Sequence, residues 1–230
     1  MDSQIIEIAY GVKVLYEDNH IIVAIKPAGV LSQSDGSNAP DMLTILKAYI
    51  KEKYQKPGEV YLGLVHRLDR PVSGVMVFAR TSKAASRLSE QIRLRKVDKI
   101  YRCVVNGVLK GEGRLENYIS KDESSNTVTV SDSEKPGFKA SYLDYRALAC
   151  KDGLTLVEVK LGTGRSHQIR AQMAHFGHPL IGDQKYGLRD NRTKEIALEA
   201  YKLSFEHPVK REFIAFEAPI PSGFPWNLFA

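Results

Sequence analysis

Ile21-Ile22-Val23-Ala24-Ile25 is an apolar run of strand length, and Lys26-Pro27-Ala28-Gly29 stops it at once. Apolar runs along the chain stay far below the roughly 18 residues of a membrane-crossing helix. Val12–Asp18 and His20–Lys26 read as two strands around an Asp18-Asn19 turn. Ala140–Ala149 and Leu154–Lys160 read as a hairpin across Lys151-Asp152-Gly153. Val75–Ala79, Ile100–Val105, Ala197–Phe205 and Glu212–Phe216 are further strand candidates. Helical spacing predicts a helix over Asp41–Tyr54, with Leu43, Leu46 and Ile50 on one face, ending before Pro57-Gly58. A second helix is expected from an N-cap at Ser82 to about Arg95, and a third over Arg165–Phe176 closed by Gly177 in a left-handed conformation.

Strands outnumber helices and fall mostly in adjacent hairpins. The expected class is therefore α+β, a mixed, largely antiparallel sheet with flanking helices. No repeat, low-complexity linker or shift of composition marks a boundary, so residues 1–230 are read as one domain. Lys121–Lys139 is polar throughout and is expected to be a mobile loop.

Charge narrows the partners. With 33 basic and 27 acidic side chains the chain carries +6, a balance that suits a polyanion. Met1-Asp2-Ser3-Gln4 has neither the basic region nor the apolar stretch of a secretory signal, which points to a cytoplasmic protein and away from membranes. Two cysteines, Cys103 and Cys150, are too few for a disulfide framework; both lie beside apolar residues and are expected as buried thiols.

Three segments carry candidate chemistry. In Gly63–Arg80 two apolar runs flank a dense polar cluster, His66-Arg67-Leu68-Asp69-Arg70, with Pro71 and Gly74 beside it, which places Asp69 in a loop at a strand end. An Asp between two arginines is equally the make-up of a structural ion pair. Leu161-Gly162-Thr163-Gly164-Arg165-Ser166-His167-Gln168-Ile169-Arg170 closes a strand and opens a helix, where free amides favour anions; a plain helix start explains it as well. It is neither a Walker motif nor a dinucleotide fingerprint. Gly177-His178-Pro179 with Gly182-Asp183-Gln184-Lys185-Tyr186-Gly187 is the third segment; without a nearby cysteine, His167, His175 and His178 do not make a zinc site, and no metal is expected.

Taken in order, these segments resemble the RluA-type family of RNA pseudouridine synthases. His66-Arg67-Leu68-Asp69 with Ser73-Gly74 is similar to the family's active-site signature, followed by Lys99-Ile100-Tyr101. Thr163–Arg170, Gly177-His178-Pro179 and Gly182–Gly187 are similar to its C-terminal signature, and Lys26-Pro27-Ala28-Gly29 and Lys202–Pro208 match in place. The family often has Thr at Val72 and His at Gln33, Gln172 and Glu199; none of these is a presumed catalytic position.

The resemblance implies a pseudouridine synthase fold around a catalytic cleft, and isomerisation of a uridine in ribosomal or transfer RNA. No cofactor is implied, because uracil is detached, turned and rejoined without redox chemistry. It also implies the roles. Asp69 is the nucleophile, Arg165 the cation that orients it and favours its ionised form, and Tyr101 the ring that stacks on the target base. Arg67 matches a position that enters the space vacated by an extruded base. Lys26, His66, Arg80, Lys99, His167, Arg170 and Lys185 are candidate RNA contacts.

A small N-terminal RNA-binding domain found in some members is not expected, since residues 1–11 precede the first strand, and nothing implies a protein partner beyond a monomer. The alternative is a non-catalytic RNA-binding module on the same fold, which would be expected to have lost Asp69, Tyr101 or Arg165; all three stand. A glycosidase-like hydrolase would want two carboxylates flanking the scissile bond, and Asp183, its second candidate, is accounted for by the family match.

Overall fold

The computed structural model describes residues 5–188, 192, 193 and 195–230; Met1–Gln4 lie outside the described residues. The chain divides into two compact units, Met1–Lys99 with Ala200–Ala218, and Ile100–Glu199 with Pro219–Ala230. Its strands are β1 (Ile6–Glu7), β2 (Lys13–Glu17), β3 (Ile21–Lys26), β4 (Gly63–Leu64), β5 (Ser73–Ala79), β6 (Asp98–Asn106), β7 (Glu112–Asp122), β8 (Thr127–Ser131), β9 (Lys139–Lys151), β10 (Leu154–Leu161), β11 (Leu198–Glu206) and β12 (Phe213–Glu217). Its helices are α1 (Met42–Lys53), α2 (Ser82–Arg93) and α3 (Gln168–His175). The expected α+β class holds, and no helix among the described residues is long and apolar enough to cross a membrane.

In the first unit the strand order is β1-β2-β3-β5-β11, with β4 on β5 and β12 on β11. All six residues of β3 are buried, which is why the strand reads as a continuous apolar run and not as an alternation. Ile21, Val23 and Ile25 pack with Val75 and Val77 of β5, Leu88 of α2 and Phe205 of β11. Helix α1 begins at Asp41, whose side chain accepts the Thr44 N–H, and buries Met42, Ile45, Leu46 and Ile50; Leu43, expected on that face, is only half-buried. Helix α2 is capped by Thr81 and not by Ser82: the Thr81 hydroxyl accepts the Ala84 N–H at 3.2 Å.

The Asp18-Asn19 turn ties this unit together. Asp18 accepts the backbone N–H of His20 at 2.8 Å and of Ile21 at 3.0 Å, and the Tyr16 hydroxyl at 3.0 Å. His207, fully buried, receives the Val209 and Lys210 N–H groups on Nδ1, so the proton sits on Nε2 and is donated to Asp18 at 2.9 Å. The loop between β11 and β12 is thereby fastened to the β2–β3 hairpin.

In the second unit the order is β6-β10-β9-β7-β8. Strands β9 and β10 form the expected hairpin, turning on Asp152 and Gly153, both at positive φ (53° and 73°), the geometry that matches strand twist. The expected loop over Lys121–Lys139 is not one. Lys121 and Asp122 complete β7, and Thr127–Ser131 pairs back onto it as β8. The β-branched alternation Thr-Val-Thr-Val decides this: Val128 is buried with Ile119 and Ala171, while the polar partners face out. Helix α3 starts later than expected. His167 is left-handed (φ 50°), which leaves Arg165 and Ser166 outside the helix. Its end is as expected: the Gly177 and His178 amides donate to Ala174 and Met173. Cys103 is buried, and burial pushes its thiol up to about 12. Cys150 is exposed, correcting the expectation of a second buried thiol, because it sits at the tip of the β9–β10 hairpin.

Burial opposes ionisation of Asp18, yet the two backbone amides, the Tyr16 hydroxyl and His207 together bring its pKa down from 3.8 to about 2. A carboxylate with a depressed folded-state pKa adds stability that is complete above its unfolded value and lost as pH falls through the folded one. Asp18 is therefore expected to contribute about 1 to 2 kcal/mol at neutral pH, after screening, and to lose it between about pH 4 and pH 2. Chemical denaturation of wild type and Asp18→Asn across that range checks this; parallel curves would refute it.

Candidate active site

The loop between β4 and β5 presents Asp69. Along it His66 and Leu68 are buried, Arg67 and Arg70 are exposed, and Asp69 is half-buried. The Val72 N–H donates to the Asp69 carbonyl at 3.0 Å, closing a turn over Arg70-Pro71.

The segment that follows β3 holds this loop. Lys26 is fully buried; its ammonium donates to the carbonyls of Val30 at 2.6 Å, Pro27 at 3.0 Å and Arg70 at 3.0 Å. Three acceptors match the three protons of an ammonium. Burial pushes Lys26 down to about 7, against which the negative charge of Asp69 favours the charged form. Gly29 exchanges further bonds with Arg70: its N–H donates to the Arg70 carbonyl at 2.9 Å, and the Arg70 Nε donates to its carbonyl at 3.1 Å. His66 accepts the Val77 N–H on Nε2 at 3.1 Å, and its buried Nδ1 has no hydrogen-bond partner among the described residues. Burial first, and Lys99 second, hold this imidazole neutral; burial also pushes Lys99 down. Arg80 donates to the Asp18 carbonyl at 2.6 Å and lies 4.7 Å over the Tyr54 ring.

In the second unit Tyr101 is a buried residue of β6, opposite Val159 of β10. Arg165 is exposed on the loop between β10 and α3. That loop is fixed by Gln168, buried at the start of α3. The Gln168 Oε1 accepts the Thr163 hydroxyl at 2.8 Å and the Arg165 N–H at 3.1 Å, and its Nε2 donates to the Tyr142 carbonyl at 3.0 Å. Tyr186 accepts the Val128 N–H at 2.7 Å, which leaves its hydroxyl proton for His167 Nδ1 at 2.8 Å. Arg170 is buried and forks onto Asp183 at 2.8 and 2.7 Å. Lys185 is exposed, and its ammonium donates to the Asn126 carbonyl at 2.6 Å.

The expected residues thus separate by environment. Arg67, Arg165 and Lys185 reach the surface; Lys26, His66, His167 and Arg170 are interior. Ser32 and Gln168, which hold the Asp69 and Arg165 loops by side-chain bonds to backbone, were not singled out in the sequence. Gln168 lies inside a motif, whereas Ser32 carries no signal at all.

Residues 20–175 match the family described as RNA pseudouridylate synthase, and the chain belongs to that family, with motifs of the RluA type. It is 38% identical over 221 residues to ribosomal large subunit pseudouridine synthase D of Neisseria meningitidis serogroup A, covering 90% of this chain and 58% of that protein. The chain thus spans little more than half of that relative. It is 35% identical over 218 residues to an uncharacterized RNA pseudouridine synthase of Bacillus subtilis, covering 93% of this chain and 70% of the relative. The solved structure of human RNA pseudouridylate synthase domain containing 4 shares the fold, with a TM-score of 0.75 at 22% identity over 90% of this chain and 88% of that one.

Burial works against an ionised Asp183, but the Arg170 fork and the Lys185 and Tyr186 amides hold its carboxyl below the usual range. Removing the guanidinium strands a buried charge. Arg170→Ala is expected to cost about 3 to 5 kcal/mol of stability, the usual penalty for breaking a buried pair from one side. Urea denaturation measures it, and a loss below about 1 kcal/mol would show that the pair does not hold α3.

Proposed function

We propose that the chain is an RNA pseudouridine synthase acting on a uridine of ribosomal RNA, with Asp69 as its nucleophile. The observation that carries the reading is the Asp69 loop, where the carboxylate sits on a backbone whose next carbonyl, that of Arg70, is held by the buried Lys26 ammonium and the Gly29 N–H, as a group aimed at a single reacting atom needs. The names of the Neisseria relatives favour ribosomal over transfer RNA as substrate.

The reaction conserves every atom. The bond from ribose C1′ to uracil N1 breaks, the base turns, and a bond from C1′ to C5 replaces it; C5 gives up a proton and N1 gains one. A carboxylate nucleophile divides this into two displacements and requires neither redox partner nor external group. Tyr101 and Arg165 take, by the family resemblance, the roles of stacking on the target base and pairing with the nucleophile. Arg67, exposed two residues before Asp69, fills the space that an extruded base leaves. Lys185 and Arg67 contact RNA from the surface. Lys26, whose ammonium is bonded to three carbonyls, and Arg170, buried and forked onto Asp183, support the site rather than contact phosphate. The working form is a cytoplasmic monomer.

Incubating the purified chain with ribosomal RNA transcripts and mapping pseudouridine tests the reading. Wild type is expected to modify a discrete uridine. Asp69→Asn keeps the shape of the side chain but not its charge, and is expected to fold normally and lose at least about 1,000-fold in rate, the scale of removing a nucleophile. Turnover by a sequence-verified Asn variant within tenfold of wild type would refute the role.

A further inference from the structure

Ser32 lies outside the motifs and yet makes two of the bonds nearest the proposed nucleophile. It is buried, and its hydroxyl bonds one residue twice, accepting the Leu68 N–H at 3.0 Å and donating to the Leu68 carbonyl at 2.8 Å. That exchange is what a neighbouring strand offers a residue in a sheet, here supplied by a side chain. Leu68 is itself buried and its backbone has no other hydrogen-bond partner among the described residues, so removing the hydroxyl would leave both groups unpaired.

Ser32 is in turn held in place. Its predecessor Leu31 accepts the Met42 N–H at 2.8 Å and donates to the Pro40 carbonyl at 3.0 Å, which anchors it to the start of α1. Beyond Asp69, Lys26 and Gly29 hold the Arg70 carbonyl. The residues on both sides of Asp69 are therefore fastened to one segment, Lys26–Ser32, and the half before Asp69 depends on the Ser32 hydroxyl.

We propose that Ser32 is a positioning residue for the Asp69 loop, fixing the backbone from which the nucleophile projects. The inference rests on the reading of Asp69 as the nucleophile. It differs from a purely structural role in what it moves: the rate of the chemical step, with RNA affinity unchanged. A displacement of the order of 1 Å at a reacting group costs up to about 100-fold in rate.

Thr and Val have the same shape and differ by the hydroxyl, so Ser32→Thr and Ser32→Val form the test pair. Single-turnover pseudouridine formation and RNA affinity are measured for both, with amide exchange at Leu68 in wild type and Ser32→Ala as a readout independent of activity. Ser32→Val is expected to slow the chemical step by about 10- to 100-fold with affinity within about twofold, Ser32→Thr to stay within about threefold of wild type, and Ser32→Ala to expose the Leu68 amide. Equal rates for Thr and Val would overturn the inference. So would a fully active Ser32→Ala in which the Leu68 amide exchanges freely. If Ser32→Val does not fold, the Ala variant decides by the same two readouts. An inactive wild type with a protected Leu68 amide overturns the functional reading instead, and with it the catalytic consequence of the clamp.

Discussion

The antiparallel register of β3 against β5 is the constraint on which the Asp69 site depends. It runs from Ile21 opposite Ala79 to Lys26 opposite Gly74. The residues leaving β3 and those entering β5 therefore emerge side by side, and the Lys26–Ser32 segment meets the Leu68–Arg70 segment without any further device. A slip of one residue would turn every side chain of β3 to the other face and remove Lys26 from the Arg70 carbonyl. Gly74 secures this end of the register. Its φ is +139°, and a Cβ there would come within 2.4 Å of the Ala200 carbonyl oxygen, so no larger residue lets β5 start here.

Polar groups do in these interiors what apolar contacts cannot, which is to specify direction. Lys26, Ser32, Gln91, Gln168 and Arg170 are all buried, and each bonds a particular backbone or carboxylate group. Such groups cost desolvation and return it only in one arrangement, so they select a geometry more than they add stability. It is consistent that several of them surround loops bearing proposed catalytic side chains. A carboxylate or guanidinium on an untethered loop would spend most of its time away from a reacting atom.

Much of this was legible in the sequence where a simple period or a turn rule applied. β2, β3, the β9–β10 hairpin and α1 follow from apolar patterning, from the Asp18-Asn19 and Asp152-Gly153 turns, and from Pro57-Gly58 beyond the end of α1. The hairpin of β7 and β8 was not legible, because its polar composition hid the β-branched alternation at Thr127–Val130. Nor was Cys150, whose apolar neighbours suggested burial although it stands at a hairpin tip. The motifs located Asp69 and Arg67 in a loop, whereas Arg165, expected at the start of a helix, lies in the loop before α3. They did not tell a basic side chain at the surface, such as Lys185, from one sealed inside, such as Lys26 or Arg170, because charge alone does not reveal a buried partner. Ser32 was invisible for a related reason: a serine in a loop has no pattern, and its bonds to Leu68, 36 positions further along the chain, exist only once the intervening segment has folded.

On the proposed function, the Asp69 carboxylate converts a uridine of ribosomal RNA into pseudouridine. The most direct test is a transcriptome-wide pseudouridine map of cells carrying the wild-type gene, a deletion, or the Asp69→Asn variant at equal expression. One or a few ribosomal RNA positions are expected to be modified with wild type and unmodified in both other strains. Full modification of those positions by the Asn variant, or identical maps for wild type and deletion, would contradict it.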